Sequence, residues 1–263
     1  MKVLTTCKIC PNLELLKDED IVLTEKMGID THFLPNIINC YDESALELAL
    51  RLKEKDELFQ VELIALTVGD HRAELTLKSL RALGFADTLI AHATEDEIRF
   101  SPEMVAETVA DYVKKEHVEC VLIGQEAPEG NHGIMAQLVA QKIGYPMIGP
   151  VIDILDVKDE SVTVLVSNAG NIYKQVVKVP CVLCIGNAVI SKLRVATLRE
   201  RMKVSKTESK VIELKYPSES YMAVPERLEI NENKRMAYQS TNQGEEAMKD
   251  ILNHGLRKVL ESI

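Results

Sequence analysis

Tryptophan is absent from this 263-residue chain, and aromatic residues make up only 4% of it. Few flat platforms therefore remain on which a single-stranded nucleic acid could stack. Positive charge is also scarce. Against 41 Asp and Glu there are 31 Lys and Arg, a formal net charge of -10, which repels phosphate backbones and excludes a general nucleic-acid binder. No apolar run approaches the roughly 20 residues that span a bilayer. The opening MKVLTTCK lacks a signal peptide's long apolar stretch, so a cytoplasmic protein is expected. Signature motifs are missing too: there is no GxGxxG, no Gly-Lys-Ser/Thr phosphate loop, no HExxH and no GxSxG. His71, His92, His117, His132 and His254 are scattered, and no residue is assigned a catalytic role.

What is present is a 46% hydrophobic composition, enough to bury a full core for one domain with an appended arm. Six cysteines include two CxxC pairs, Cys7 with Cys10 and Cys181 with Cys184, while Cys40 and Cys120 stand alone. The second pair lies in VPCVLCIG, a strand-like segment, where residues three apart point to opposite faces and do not converge on one zinc ion. Buried free thiols in a reducing compartment are the reading preferred to a metal or redox pair.

Along residues 1–145, apolar strand-like segments alternate with amphipathic helical ones. Strands are expected at 3–6, 61–67, 88–92 and 120–124, and helices at 40–55, 75–83, 102–116 and 133–143, with Asn39 as a cap and Gly84 as a stop. A polar excursion over 11–35 is expected to contain a small hairpin near 21–24. Such an alternation implies an α/β fold: a Rossmann-like open parallel sheet with helices on both faces. After Pro150, alternation around Asp159-Glu160 signals a β-hairpin region, to which 173–179 adds a third strand, and VPCVLCIG returns to the core sheet. An extended, polar arm and a final amphipathic helix with Met248, Leu252, Leu256, Val259 and Leu260 complete the chain. The expected divisions are 1–190 for the α/β domain, 191–214 for a basic loop and 215–263 for the arm and helix.

Two segments carry most of the functional interest. In LIGQEAPEGNHGIMAQ a strand runs into a helix through a polar loop, on the side of a parallel sheet where ligands bind. It is either a nucleotide cradle or an ordinary connection, with His132 the histidine placed to touch a ligand. In LRVATLRERMK, Leu198 and Met202 sit among cations. The segment is either solvated surface or a docking loop anchored by Leu198 and steered by charge.

NCYDESALELALRLKEK, the strand ending in Lys8, VELIALTVG, LKSLRALGFAD, VLIGQEA and LRVATLRERMKVSK together resemble, in order and spacing, the beta subunits of electron transfer flavoproteins. The resemblance spans roughly residues 1–214 and implies an adenine nucleotide hydrolase-like fold. It also implies a non-enzymatic half of a heterodimer that passes electrons between dehydrogenases and an acceptor oxidoreductase. FAD would lie mainly on the alpha subunit, with Tyr41 approaching the flavin. A second site, for AMP or a second FAD, would map to Thr6, Asn39, Cys40, Tyr41, Asp42 and Val68, and to the loop Gly124, Gln125, Glu126, Ala127, Pro128, Glu129, Gly130, Asn131, His132, Gly133, Ile134 and Met135. Leu198, Met202, Lys203 and Lys206 would form the dehydrogenase-recognition loop, and the arm and last helix would embrace the alpha subunit. Two departures stand out: Ile134-Met135 replaces a Gln-Thr or Gln-Val pair, leaving backbone N–H groups and His132 as donors, and Cys40 replaces a proline. The other reading is a stand-alone adenine-nucleotide-binding domain or hydrolase, in which Glu126, Glu129 and His132 act on the ligand.

Overall fold

The computed structural model describes the chain apart from residues 26–27, 56–60, 129–132, 159, 218–226, 228, 230–239, 241 and 261–263, and describes only the backbone of 255–260. Its elements in chain order are β1 (Lys2–Thr6), β2 (Ile9–Pro11), β3 (Asn36–Ile38), α1 (Cys40–Lys55), β4 (Glu62–Gly69), α2 (Glu74–Leu83), β5 (Asp87–His92), α3 (Glu95–Ile98), α4 (Pro102–Glu116), β6 (Cys120–Gly124), α5 (Met135–Ile143), β7 (Met147–Lys158), β8 (Ser161–Asn168), β9 (Asn171–Lys178), β10 (Cys181–Ile185), α6 (Leu198–Lys203), β11 (Lys210–Ile212) and α7 (Gly244–Leu260).

The central strands read as short, near-continuous apolar runs, which a sheet covered on both faces requires. Successive residues then serve opposite layers. Val3, Leu63, Ala65, Leu122 and Leu183 pack in one core with Leu46 and Leu50 of α1 and Leu77 and Leu80 of α2. Leu4, Ile64, Leu66, Val121 and Val182 pack in a second with Val109 and Val113 of α4 and Val139 of α5. The same pleat separates Cys181 from Cys184, one in each core. α2 stops where Gly84 takes φ 117°, a left-handed conformation that closes the helix with a bond to Leu80 and Arg81 carbonyls.

The large sheet has the order β11-β5-β4-β1-β6-β10-β7-β8-β9. Strands β11 to β7 in that order are parallel, while β8 and β9 add an antiparallel meander. From β1 the chain first builds outward through β4 and β5, then returns to place β6 on the other side. The topology therefore reverses at β1, and a crevice opens beyond the carboxyl ends of β4, β1 and β6.

Three features differ from expectation. The 11–35 excursion is flanked by β2 and β3, which pair with each other, and among the described residues it holds a single bridge between Leu23 and Ile29 in place of a regular hairpin. The basic segment contains the short helix α6, closed by a reciprocal capping box between Thr197 and Glu200. Past it, β11 pairs with β5, tied by Lys210 to Asp87 at 2.6 Å and by Thr88 Oγ1 to Ser209 Oγ at 3.2 Å. The chain divides into two compact units, Met1–Glu226 and Arg227–Ile263. In the second, α7 carries exposed Met248, Ile251 and Leu252; the rest of its expected stripe and most of the arm lie outside the described residues. Among the described residues no helix is long and apolar enough to cross a membrane.

Candidate functional site

At the sheet reversal, α1 starts directly beneath the ends of β1 and β6, bringing Asp42 between them. Its side chain is buried, with 5% of the residue exposed. Oδ2 accepts a hydrogen bond from the Lys8 backbone N–H at 2.8 Å and Oδ1 one from Gly124 N–H at 3.1 Å. One carboxylate thus closes the last rung of two strands that diverge at this point. Burial raises the Asp42 carboxyl to about 6, although the hydrogen bonds from Lys8, Asn39 and Gly124 act to lower it. Gly124 must be glycine for this to fit, because a Cβ there would stand 2.3 Å from Asp42 Oδ1 and 2.9 Å from Tyr41 Cβ.

Asn39, expected as a helix cap, does something else with its side chain: Nδ2 donates to the Glu126 carbonyl at 2.7 Å, fastening the loop after β6 to the start of α1. Its backbone carbonyl accepts the first helical bond, from Glu43 N–H.

Above this clamp lies a cleft of about 1090 Å³, counting the space open to solvent at its mouth. Thr6, Asn39, Asp42, Val68, Gly124, Gln125, Glu126, Ala127, Gly133, Ile134 and Met135 line it. Of the other expected residues, Cys40 is exposed and Tyr41 half-buried at the head of α1, neither of them lining the cleft, nor does Pro128. Glu129, Gly130, Asn131 and His132 lie outside the described residues. The Tyr41 hydroxyl is pushed up by burial and by the neighbouring Glu126 carboxylate.

The opposite wall went unanticipated. Glu95, Ile98 and Arg99 from α3 and its end, with Pro102, Val105 and Val109 of α4, face Cys7, Lys8, Leu66 and Ile123 across the space. α4 was legible as a helix, and its apolar positions near Pro102 were the signal that it covers the strand ends; α3 is four residues long and gave none. The lining is mainly apolar, with Asp42, Glu95 and Glu126 set against Lys8 and Arg99. Arg99 is held by Glu95 at 2.9 Å and Asp96 at 3.3 Å. Such a slot suits a flat, largely neutral group of nucleoside size held by a few polar edges. Among the described residues, no three His, Cys, Asp or Glu are grouped to hold a metal ion.

A second feature lies on the surface of the first unit. Arg194 hydrogen-bonds Glu47 through Nε at 3.0 Å and Nη2 at 2.7 Å, and also pairs with Glu54. Burial would raise the Glu47 carboxyl, but the hydrogen bonds from Arg194 and Arg51 outweigh it and hold Glu47 below the usual range. With its start fixed to α1 in this way, the segment turns through buried Ala196 into α6, leaving Leu198 76% and Met202 68% exposed. Lys203 ends α6 and Lys206 follows it, both exposed.

A doubly covered parallel sheet with an open cleft at its reversal point defines an open-sheet α/β protein of the kind that binds ligands beyond the carboxyl ends of its strands. The family model for the electron transfer flavoprotein domain matches residues 26–216, and the chain belongs to that family. Its relatives include the electron transfer flavoprotein subunit beta of Dictyostelium discoideum, 29% identical over 71% of this chain and 72% of that one. The putative electron transfer flavoprotein subunit YgcR of Escherichia coli is 27% identical over 79% and 80%. The human subunit beta is 27% identical over 73% and 74%.

Proposed function

We propose that this chain is the beta-type subunit of a two-subunit electron transfer flavoprotein, an electron carrier with no reaction of its own. It pairs with an alpha-type subunit, and FAD held between the two supplies the reversible uptake of electrons. Tyr41, half-buried beside Gly124 at the head of α1, forms the beta side of that flavin's surroundings, where an aromatic ring shields it and keeps it near the surface. The cleft behind Tyr41 is a separate adenine-nucleotide site, for AMP or a second FAD, built on Thr6, Asn39, Asp42, Val68 and the loop from Gly124 to Met135. Leu198 and Met202, with Lys203 and Lys206, dock a dehydrogenase, while the arm and α7 hold the alpha subunit. The compartment is the cytoplasm.

The observation that carries this reading is the cleft itself: it opens at the sheet reversal, is lined mostly by residues of the family-matched span, and includes Gly124, against which Tyr41 packs. A hydrolase using Glu126, Glu129 and His132 has less support, since the matching family and relatives are named electron transfer flavoproteins and the Glu126 carboxylate accepts from Gln125 Nε2 at 3.3 Å. Co-expression with an alpha-type electron transfer flavoprotein subunit tests the pairing. A complex that stays together on gel filtration is expected, and a chain that elutes alone contradicts it.

A further inference from the structure

Helix α6 buries none of its own side chains, so the direction in which it points Leu198 has to come from the chain on either side of it. The chain before it meets a rail of carboxylates. Glu43, Glu47 and Glu54 follow one another on α1 at spacings of four and seven, which puts them on one helical stripe about 40° wide. Lys192 Nζ lies 3.5 Å from Glu43, an exposed tie that adds little. Arg194 grips the other two: Nε and Nη2 reach Glu47 at 3.0 and 2.7 Å, Nη2 reaches Glu54 at 3.2 Å, and the Arg194 backbone N–H donates to Glu47 at 3.2 Å. Bonds through guanidinium and main chain together fix the heading of the segment as well as its place. Glu47 gives no slack on its side, being only 3% exposed and also held by Arg51 at 3.1 Å. Two residues on, Ala196 is buried, and Leu198 then opens α6. Beyond α6 the chain is pinned again, where Ser209 and Lys210 bond Thr88 and Asp87. Held at both ends, the segment presents Leu198 and Met202 one helical turn apart, both in solvent.

We propose that Arg194, through its grip on Glu47 and Glu54, is the positioning residue of the docking surface: it sets the direction in which α6 offers Leu198 to a partner protein and acts only through that leucine. This rests on the reading of Leu198 as a docking anchor. An α6 released from α1 would have to be ordered anew at each encounter, and that ordering weakens binding. The guanidinium is committed to the two α1 carboxylates, so its part in docking lies in holding the anchor in place.

A double-mutant cycle tests this in the FAD-loaded complex with an alpha-type subunit, read by stopped-flow flavin reduction at a sub-saturating concentration of a dehydrogenase that reduces the wild-type complex. Arg194→Gln is expected to slow reduction by about tenfold when Leu198 is present and by less than about twofold in the Leu198→Ala background, because the two changes remove the same interaction. Equal losses in the two backgrounds overturn the proposal, since Arg194 then acts on the partner or on the fold by itself. A wild-type rate for Arg194→Gln overturns it too. In both cases the docking reading stands, whereas a wild-type rate for Leu198→Ala alone overturns that reading and the proposal together. Should Arg194→Gln not fold, Arg194→Lys carries the same cycle: it keeps the charge without the fork that spans two carboxylates, and about a threefold slowing is expected, again lost in the Leu198→Ala background.

Discussion

Asp42 is the residue on which the site depends, and its environment sets two forces against each other. Burial favours the protonated form, while the two backbone N–H groups of Lys8 and Gly124 favour the carboxylate. Burial wins: the carboxyl rises from 3.8 to about 6. A group whose folded value is raised binds a proton more readily in the folded state, so its contribution to stability is full below about pH 4 and is lost as pH rises through 6. The change is on the order of 3 kcal/mol. Asp42→Asn removes that pH dependence and turns an NH₂ toward one of the two N–H groups, leaving a buried donor without an acceptor. Urea unfolding is expected to show a loss of about 2–4 kcal/mol, with the wild-type advantage shrinking from pH 4 to pH 7. An advantage that instead grows over that range contradicts the assignment. Asp42 and Asn39 were marked as site residues only by the family resemblance; by themselves they read as an acidic first turn and a helix cap. What each side chain does was hidden, because the partners, Gly124 and the Glu126 carbonyl, lie 82 and 87 residues away.

Whole elements were easier to read than their edges. The span of α1, Cys40–Lys55, follows from its apolar stripe and acidic first turn, and α4 from Pro102 and its repeat. β11 was illegible since three residues carry no periodicity, and it becomes a strand only by pairing with β5. The basic segment is the instructive case. Its charges read equally well as solvated surface, and its order comes from Arg194 clasping Glu47 and Glu54 on α1 together with the Thr197 and Glu200 capping box. A tethered helix that leaves a leucine and a methionine in solvent among cations is what the proposed anchor requires. Leu198→Ala is therefore expected to slow electron transfer from a partner dehydrogenase by about tenfold in stopped-flow flavin reduction. Circular dichroism serves as the folding control, and transfer at the wild-type rate contradicts the anchor.

At the scale of the molecule, alternation of strands and helices fixed a parallel sheet, but not the order of its strands. The reversal at β1 arises from long-range pairing of β1 with both β4 and β6, and only with that order does the cleft acquire a second wall from α3 and α4. Of the residues marked in sequence as a nucleotide site, the structure brings eleven to one cleft, seven of them from the stretch Gly124 to Met135 and four from elsewhere, Thr6, Asn39, Asp42 and Val68. The chain is a member of the electron transfer flavoprotein domain family, and the proposed function adds a flavin site completed by another chain. The most direct measurement is flavin retention after desalting, for this chain alone, for an alpha-type subunit alone and for the two mixed with excess FAD. The account predicts stable, stoichiometric FAD in the mixture and little or none on this chain by itself. Stoichiometric flavin on this chain alone, or none on the mixture, would contradict it.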